Sequence, residues 1–285
     1  MKHLLMFSAL LLLSIKAFAV ETVSAGYKAS LKSAVLAEER DYYVSLPPGY
    51  DASEDTYPVV YVLDGDVHRW RAISGIIEGL STETLDNQIN QAIVVAIPNT
   101  DRDRDLTPTR LAQWTFEGKV LQTFQTSGGA DSFQAFLNNE LIPHIEAEYR
   151  ASEQRILVGE SFGGLFASFT LLTKPQMFTD YLIIDPAALW DNNYLNKRFQ
   201  TTDKPVAQSK VTIYFAFANN AHLGNIGMTN RKWGEEFASA LHSEMSGNYI
   251  VTQQYFEDES HGTVALPGWY RGLKLLLSAR TPHDT

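Results

Sequence analysis

Apolar residues fall along this chain in two alternating patterns. Short runs of β-branched and aromatic residues read as strands, and between them lie longer stretches with apolar positions three and four apart, as on a helix. Tyr27 to Val35 and Arg40 to Leu46 alternate like half-buried strands before Pro47-Pro48-Gly49-Tyr50 breaks the chain. Tyr57 to Leu63 (YPVVYVL) and Ala92 to Ile97 (AIVVAI) are continuous apolar runs of the kind buried on both faces of a sheet. A helix from about Val67 to Leu80 lies between them. Pro98 to Gly129 is polar and irregular, too long for an ordinary connector, and is expected to shape the mouth of a site. Asp131 or Ser132 then caps a helix carrying Phe133, Phe136, Leu137, Leu141 and Ile145, with a kink expected at Pro143.

A strand at Arg155 to Val158 and an apolar, small-residue helix at Phe162 to Leu172 follow. Further strands are read at Tyr181 to Ile184, Val211 to Phe217 and Tyr249 to Tyr255, with helices around Lys232 to Met245 and Leu266 to Leu277. Strands alternating with helices predict the α/β class, a mostly parallel central sheet with helices on both faces. No repeat, low-complexity tract or linker interrupts the pattern, so one domain is expected from residue 20 to residue 285.

The amino terminus departs from this pattern. Lys2 and His3 precede the apolar run Leu4 to Leu13, and Ala17-Phe18-Ala19 has the A-x-A form of a cleavage site. Residues 1–19 read as a secretory signal peptide, too short to span a membrane, cleaved after Ala19. The mature protein is therefore expected in the periplasm or outside the cell. There is no cysteine, hence no lipid-attachment site and no disulfide framework. A formal charge of -10 with no basic block argues against a nucleic-acid partner or an anionic membrane. The 45% hydrophobic content of 285 residues is enough for a large single core.

The candidate chemistry sits at Gly159-Glu160-Ser161-Phe162-Gly163, between a predicted strand and a predicted helix. G-x-S-x-G in that setting is a nucleophile elbow, whose turn is so tight that the serine is strained and its hydroxyl held clear of the sheet. A serine hydroxyl needs a base, and the sequence offers seven histidines. His3 leaves with the signal peptide, His283 lies in the polar tail, and His144 and His242 fall inside helices. His68 and His222 follow strands. His261 lies between the final strand and the final helix, matching the order nucleophile, acid, histidine.

The oxyanion hole is assigned to two backbone amides. One is that of Phe162, directly after the nucleophile, and the other that of Asp66 in the loop after the Tyr57 strand. The acid is harder to place, because Ala218-Asn219-Asn220-Ala221-His222 contains no carboxylate. Asp185, directly after the Tyr181 strand, is one answer and the one chosen, being the only carboxylate at a strand end between nucleophile and base. An amide from Asn219 or Asn220 orienting the imidazole, or a Ser-His dyad without an acid, are the others. No HExxH, Cys/His cluster, phosphate loop or dinucleotide glycine pattern appears, so no cofactor and no metal is assigned.

Several stretches together resemble the esterase branch of the α/β-hydrolases that contains the enterochelin and salmochelin (siderophore) esterases and is related to the S-formylglutathione and feruloyl esterases. They are YPVVYVLDGD at 57–66, VVAIPNTDRDRDLTPTR at 94–110, LIPHIEAEYR at 141–150, ILVGESFGGLFA at 156–167, IIDPAALWDNN at 183–193 and ESHGTVALPGWYRGL at 259–273. The elbow is shared across the superfamily, whereas the LDG and HGTV stretches are more specific. The resemblance implies an α/β-hydrolase fold and metal-free hydrolysis of a small carboxylic ester through an acyl-enzyme, siderophore esters included. It also places nucleophile and base at Ser161 and His261. The chain departs from the family pattern where Asp185 stands in place of a frequent serine, and where the loop after Phe217 lacks the acid of some relatives.

Arg102, Arg104 and Arg110 are candidates to meet an anionic catecholate, with internal pairing to the neighbouring aspartates as the plainer role. Trp70, Trp114, Trp190 and Tyr214 are candidates to line an aromatic acyl pocket. A second reading, from another class, is a hydrolase-shaped ligand-binding protein of weak catalysis, which the missing acid after Phe217 would mark. The sequence leaves the oligomeric state open.

Overall fold

The computed structural model describes residues 24–82, 89–203, 206–245 and 247–278. The signal-peptide expectation lies outside them.

Eight strands form one sheet. In chain order they are β1 (Tyr27–Ser33), β2 (Glu38–Ser45), β3 (Tyr57–Val62), β4 (Ile93–Ala96), then, passing over the short hairpin strands β5 (Gln113–Phe116) and β6 (Lys119–Thr123), β7 (Ala151–Glu160), β8 (Asp180–Ile184), β9 (Val211–Ala218) and β10 (Tyr249–Phe256). Their spatial order is β1-β2-β4-β3-β7-β8-β9-β10. β1 and β2 pair antiparallel, β2 meets β4 antiparallel, and every pair from β4 across to β10 is parallel. This is the mostly parallel α/β arrangement that the alternation predicts.

Period two along the central strands divides the core in two. Val59, Tyr61, Leu157, Tyr181, Ile183, Phe215 and Phe217 face a larger apolar layer. Val60, Val62, Ile156, Val158, Leu182, Ile184 and Ala216 face a smaller one. The larger layer is covered by α3 (Ala130–Phe136), α4 (Ile142–Glu148), α5 (Phe162–Thr173), α6 (Tyr194–Thr201) and α7 (Asn225–Glu244). The smaller is covered by α1 (Val67–Ser81) and α8 (Ala265–Leu276). Both faces bury nearly pure hydrocarbon, which at about 25 cal/mol per Å² is the main source of stability.

Some elements differ from the sequence reading. The irregular stretch before α3 holds a one-turn helix, α2 (Arg102–Asp105), and the hairpin of β5 and β6. The hairpin turns at Glu117-Gly118, both at positive φ, and β6 is exposed throughout, so no apolar alternation announces it. α6 shows no apolar stripe in the sequence, because only Leu195, Asn196 and Phe199 of its eight residues are buried. α7 begins at Asn225, earlier than expected, because its first turns mix Gly227 and polar residues with apolar ones and show no clear helical stripe. The break near Pro143 takes the form of a π-helical turn, Leu137–Leu141, joining α3 to α4. Proline has no amide to continue the α ladder, so the ladder widens ahead of it.

Candidate active site

The elbow is enforced by sterics. Ser161 sits at φ 57 and ψ -115, outside the comfortable regions for a side-chain-bearing residue, between the end of β7 and the start of α5. A Cβ on Gly159 would lie 2.2 Å from the Gly163 carbonyl oxygen, so only glycine permits the turn. Backbone bonds hold the strained residue from both sides. The Ser161 amide donates to the Ile184 carbonyl at 3.0 Å, and the Ala187 amide donates to the Ser161 carbonyl at 3.0 Å. The elbow is thus stitched to the end of β8, where Asp185 follows.

Three side chains converge there. His261 Nε2 lies 3.1 Å from Ser161 Oγ, and His261 Nδ1 lies 2.5 Å from Asp185 Oδ2. Asp185 is fully buried at φ 38, with its amide bonded to the Ala216 carbonyl. In the neutral tautomer that this geometry favours, Nδ1–H donates to Asp185 and Nε2 accepts the serine proton. The hydrogen bond to Asp185 holds the His261 pKa above the usual histidine value of 6.5. Burial and Arg102 work against that shift, while the charges of Asp185 and Glu160 add to it.

Neither asparagine weighed as a substitute for the acid touches the imidazole. Asn220 is a brace: its Nδ2 donates to Asp185 Oδ2 at 2.8 Å, and its Oδ1 accepts the backbone amide of His261 at 2.9 Å. It holds acid and base loop together, and is itself buried. Asn219 turns away, donating from Nδ2 to the Glu257 carbonyl and accepting the Ala221 amide.

The two amides assigned to the oxyanion hole differ. That of Phe162 is in the open first turn of α5 and has no acceptor among the described residues. That of Asp66 is engaged. The chain folds back over Gly65 so tightly that the Asp66 amide donates to the Asp64 carbonyl at 2.8 Å. The Asp66 carboxylate meanwhile caps α1, accepting the amides of His68 and Arg69.

The three arginines separate. Arg104 pairs with Glu38 and Asp105 and also contacts no site residue, and Arg110 donates to the Gln125 carbonyl. Arg102 alone reaches the elbow. Its Nε and Nη2 bind the Asp64 carboxylate at 2.7 and 2.9 Å, and its guanidinium lies 5.0 Å from the Phe162 ring centre. Of the aromatic candidates, Trp114 and Trp190 cluster with Phe162 and Phe124. Trp70 stacks on Tyr43, and Tyr214 bonds Gln254; both pack in the smaller layer on the α1 and α8 side. Two partnerships escaped the sequence reading altogether, Arg69 with Glu160 and Asp64 with Asn99, because each joins residues far apart in the chain. Among the described residues no group of three or more His, Asp or Glu side chains is placed to hold a metal ion, and no helix is long and apolar enough to cross a membrane.

Residues 33–244 match the family model described as "Putative esterase". The chain belongs to this esterase family. It is 28% identical over 183 residues to the ferri-bacillibactin esterase BesA of Bacillus subtilis, covering 61% of this chain and 62% of that one. It is 34% identical over 160 residues to the siderophore enterobactin esterase of Emericella nidulans, covering 50% of each. The chain thus spans between half and just over three-fifths of these relatives' own length. Among solved structures, the IroE-like serine hydrolase from Shewanella oneidensis superposes with a TM-score of 0.79 at 32% identity, over 88% of this chain and 80% of that one. The siderophore hydrolase EstA from Aspergillus nidulans, at 22% identity and TM-score 0.74, shares the fold. Together with the sheet topology, these likenesses give the chain an α/β-hydrolase fold.

Proposed function

We propose that the chain is a periplasmic or secreted serine hydrolase of small carboxylic esters, with its catalytic domain running from residue 20 to residue 285. The observation that carries this reading is the continuous bond chain from Asp185 through His261 to Ser161. In the proposed reaction, Ser161 Oγ attacks the ester carbonyl carbon while its proton passes to His261 Nε2. Asp185 fixes the tautomer and stabilises the imidazolium. The Phe162 amide meets the developing oxyanion. The Asp66 amide becomes the second donor by exchanging its bent i to i+2 bond for a charge-assisted one. Collapse breaks the bond to the alcohol oxygen, which takes the proton from Nε2 and leaves. Water then repeats the sequence on the acyl-enzyme, giving the acid and free serine.

A siderophore ester is the substrate class favoured by the names of the relatives. The ligand-binding alternative drew its support from a missing acid, and no observation of the site favours it once Asp185 lies against the imidazole. The test is covalent labelling with a fluorophosphonate and turnover of a short-chain nitrophenyl ester. The label is expected on Ser161, and Ser161→Ala is expected to abolish both label and turnover. A label on another residue, or undiminished turnover in the variant, would overturn the proposal.

A further inference from the structure

The two flanks of the Ser161–His261 pair are unlike. On one, the Phe162, Phe124 and Trp190 rings are packed shut, with Trp114 and Arg102 at their edge. On the other, a cleft of about 280 Å³ opens between the first turns of α1 and α8. Its polar wall is Asp66, His68, Arg69, Glu160 and Thr263, and its apolar wall includes Ala72, Leu266 and Trp269. Glu160 is the residue before the nucleophile, and Gly262, which also borders the cleft, is the residue after the base. The cleft therefore begins one residue from each reacting group. The larger cavity, about 560 Å³, is bordered by Pro47, Pro48 and Ala92 at the opposite end of the parallel strands.

Chemistry limits what can occupy a space so placed. As the ester bond breaks, the alcohol oxygen must lie within hydrogen-bond reach of His261 Nε2 to receive its proton. The rest of the alcohol then extends toward open space near the histidine, and the ring-filled flank offers little. Charge adds a preference. The Arg69 guanidinium is stretched between Asp66 Oδ2 at 3.3 Å and Glu160 Oε2 at 3.1 Å, so two carboxylates face one cation. Only 12% of the Glu160 side chain is exposed, so water screens it poorly.

We infer that this cleft receives the alcohol half of the ester, and that Glu160 is a specificity-determining residue favouring neutral or cationic alcohols over anionic ones. The inference rests on the hydrolase reading above. The full chain is assayed with four esters of one acyl group. Their alcohols are methanol, 3,3-dimethylbutanol, choline (its cationic isostere) and 3-hydroxypropanoate. The anionic ester is expected to have a kcat/KM at least tenfold below the dimethylbutyl ester. Glu160→Gln is expected to cut the choline-to-dimethylbutyl ratio about fivefold, the size of one part-buried ion contact. Ala72→Leu, which fills the cleft from a helical position that leucine suits, is expected to raise KM for the two bulky esters about tenfold relative to the methyl ester. Unchanged ratios in both variants would overturn the inference. If no ester is turned over, the hydrolase reading fails by itself, and tryptophan fluorescence decides the cleft. Quenching by free choline that is lost in Trp269→Phe supports occupancy, and an absence of quenching refutes it.

Discussion

Asp185→Asn tests the arrangement most directly. The buried carboxylate receives two donors at Oδ2, His261 Nδ1 at 2.5 Å and Asn220 Nδ2 at 2.8 Å, while Oδ1 is 3.4 Å from the Ala218 amide. An asparagine in this place has two choices. With its NH2 at the Oδ2 position it opposes two donors, and the imidazole must shift its proton to Nε2, where it points at Ser161 and cannot act as base. With its oxygen there, the tautomer survives but the negative charge that stabilises the imidazolium is gone. Either outcome lowers kcat and leaves KM nearly alone. By analogy with the acid of the serine proteases, a loss of about 10^3 to 10^4 in kcat is expected, or about 4 to 5.5 kcal/mol of transition-state stabilisation. The backbone should tolerate the change, since asparagine is among the residues best suited to the φ of 38 found there. Steady-state kinetics on a nitrophenyl ester, beside a thermal melt showing intact folding, make the assay. A folded variant that keeps more than about a tenth of the parent kcat would refute the role of Asp185.

Because the bond to Asp185 raises the His261 pKa, kcat/KM is expected to fall on the acid side through a value above 6.5, where the base becomes protonated; residual activity of Asp185→Asn should lose this limb at lower pH. Stability runs the other way: a raised folded pKa contributes stability that is full below the unfolded value near 6.5 and is lost as pH rises through the folded one, which melts across that window in the parent and in His261→Ala would check. Asp105 and Arg40 form a buried pair at 2.6 Å that ties α2 to β2, so Asp105→Ala leaves the buried Arg40 with Glu38 (2.9 Å) as its remaining carboxylate and is expected to cost about 3 kcal/mol, read from denaturant unfolding. A loss under about 1 kcal/mol would show that Glu38 alone satisfies the Arg40 charge. Secretion in a bacterial host should yield a mature amino terminus at Val20 in the periplasmic or external fraction, and amino-terminal sequencing that finds Met1 intact would contradict it.

The local chemistry of the chain determined a good deal. Continuous apolar runs at Tyr57, Ala92 and Val211 demanded a sheet buried on both faces, and G-x-S-x-G between strand and helix fixed the turn at Ser161, because only glycine fits at Gly159. His261 could be singled out by place and order, as the histidine between the final strand and the final helix. Tertiary structure decided whatever depends on residues distant in sequence. It chose Asp185 over Asn219 and Asn220 for the imidazole, since 76 residues separate Asp185 from His261 and the registers of β8 against β9 and of β9 against β10 together bring their loops side by side. It gave Asn220 a bracing role that composition cannot reveal, and it sent Arg104 to Glu38 while leaving Arg102 at the elbow. A hydrophobic period reports which face of an element is buried. It carries no information on which polar side chain, arriving from another loop, will satisfy a given donor, because that choice is made by distance and angle after the strands have paired.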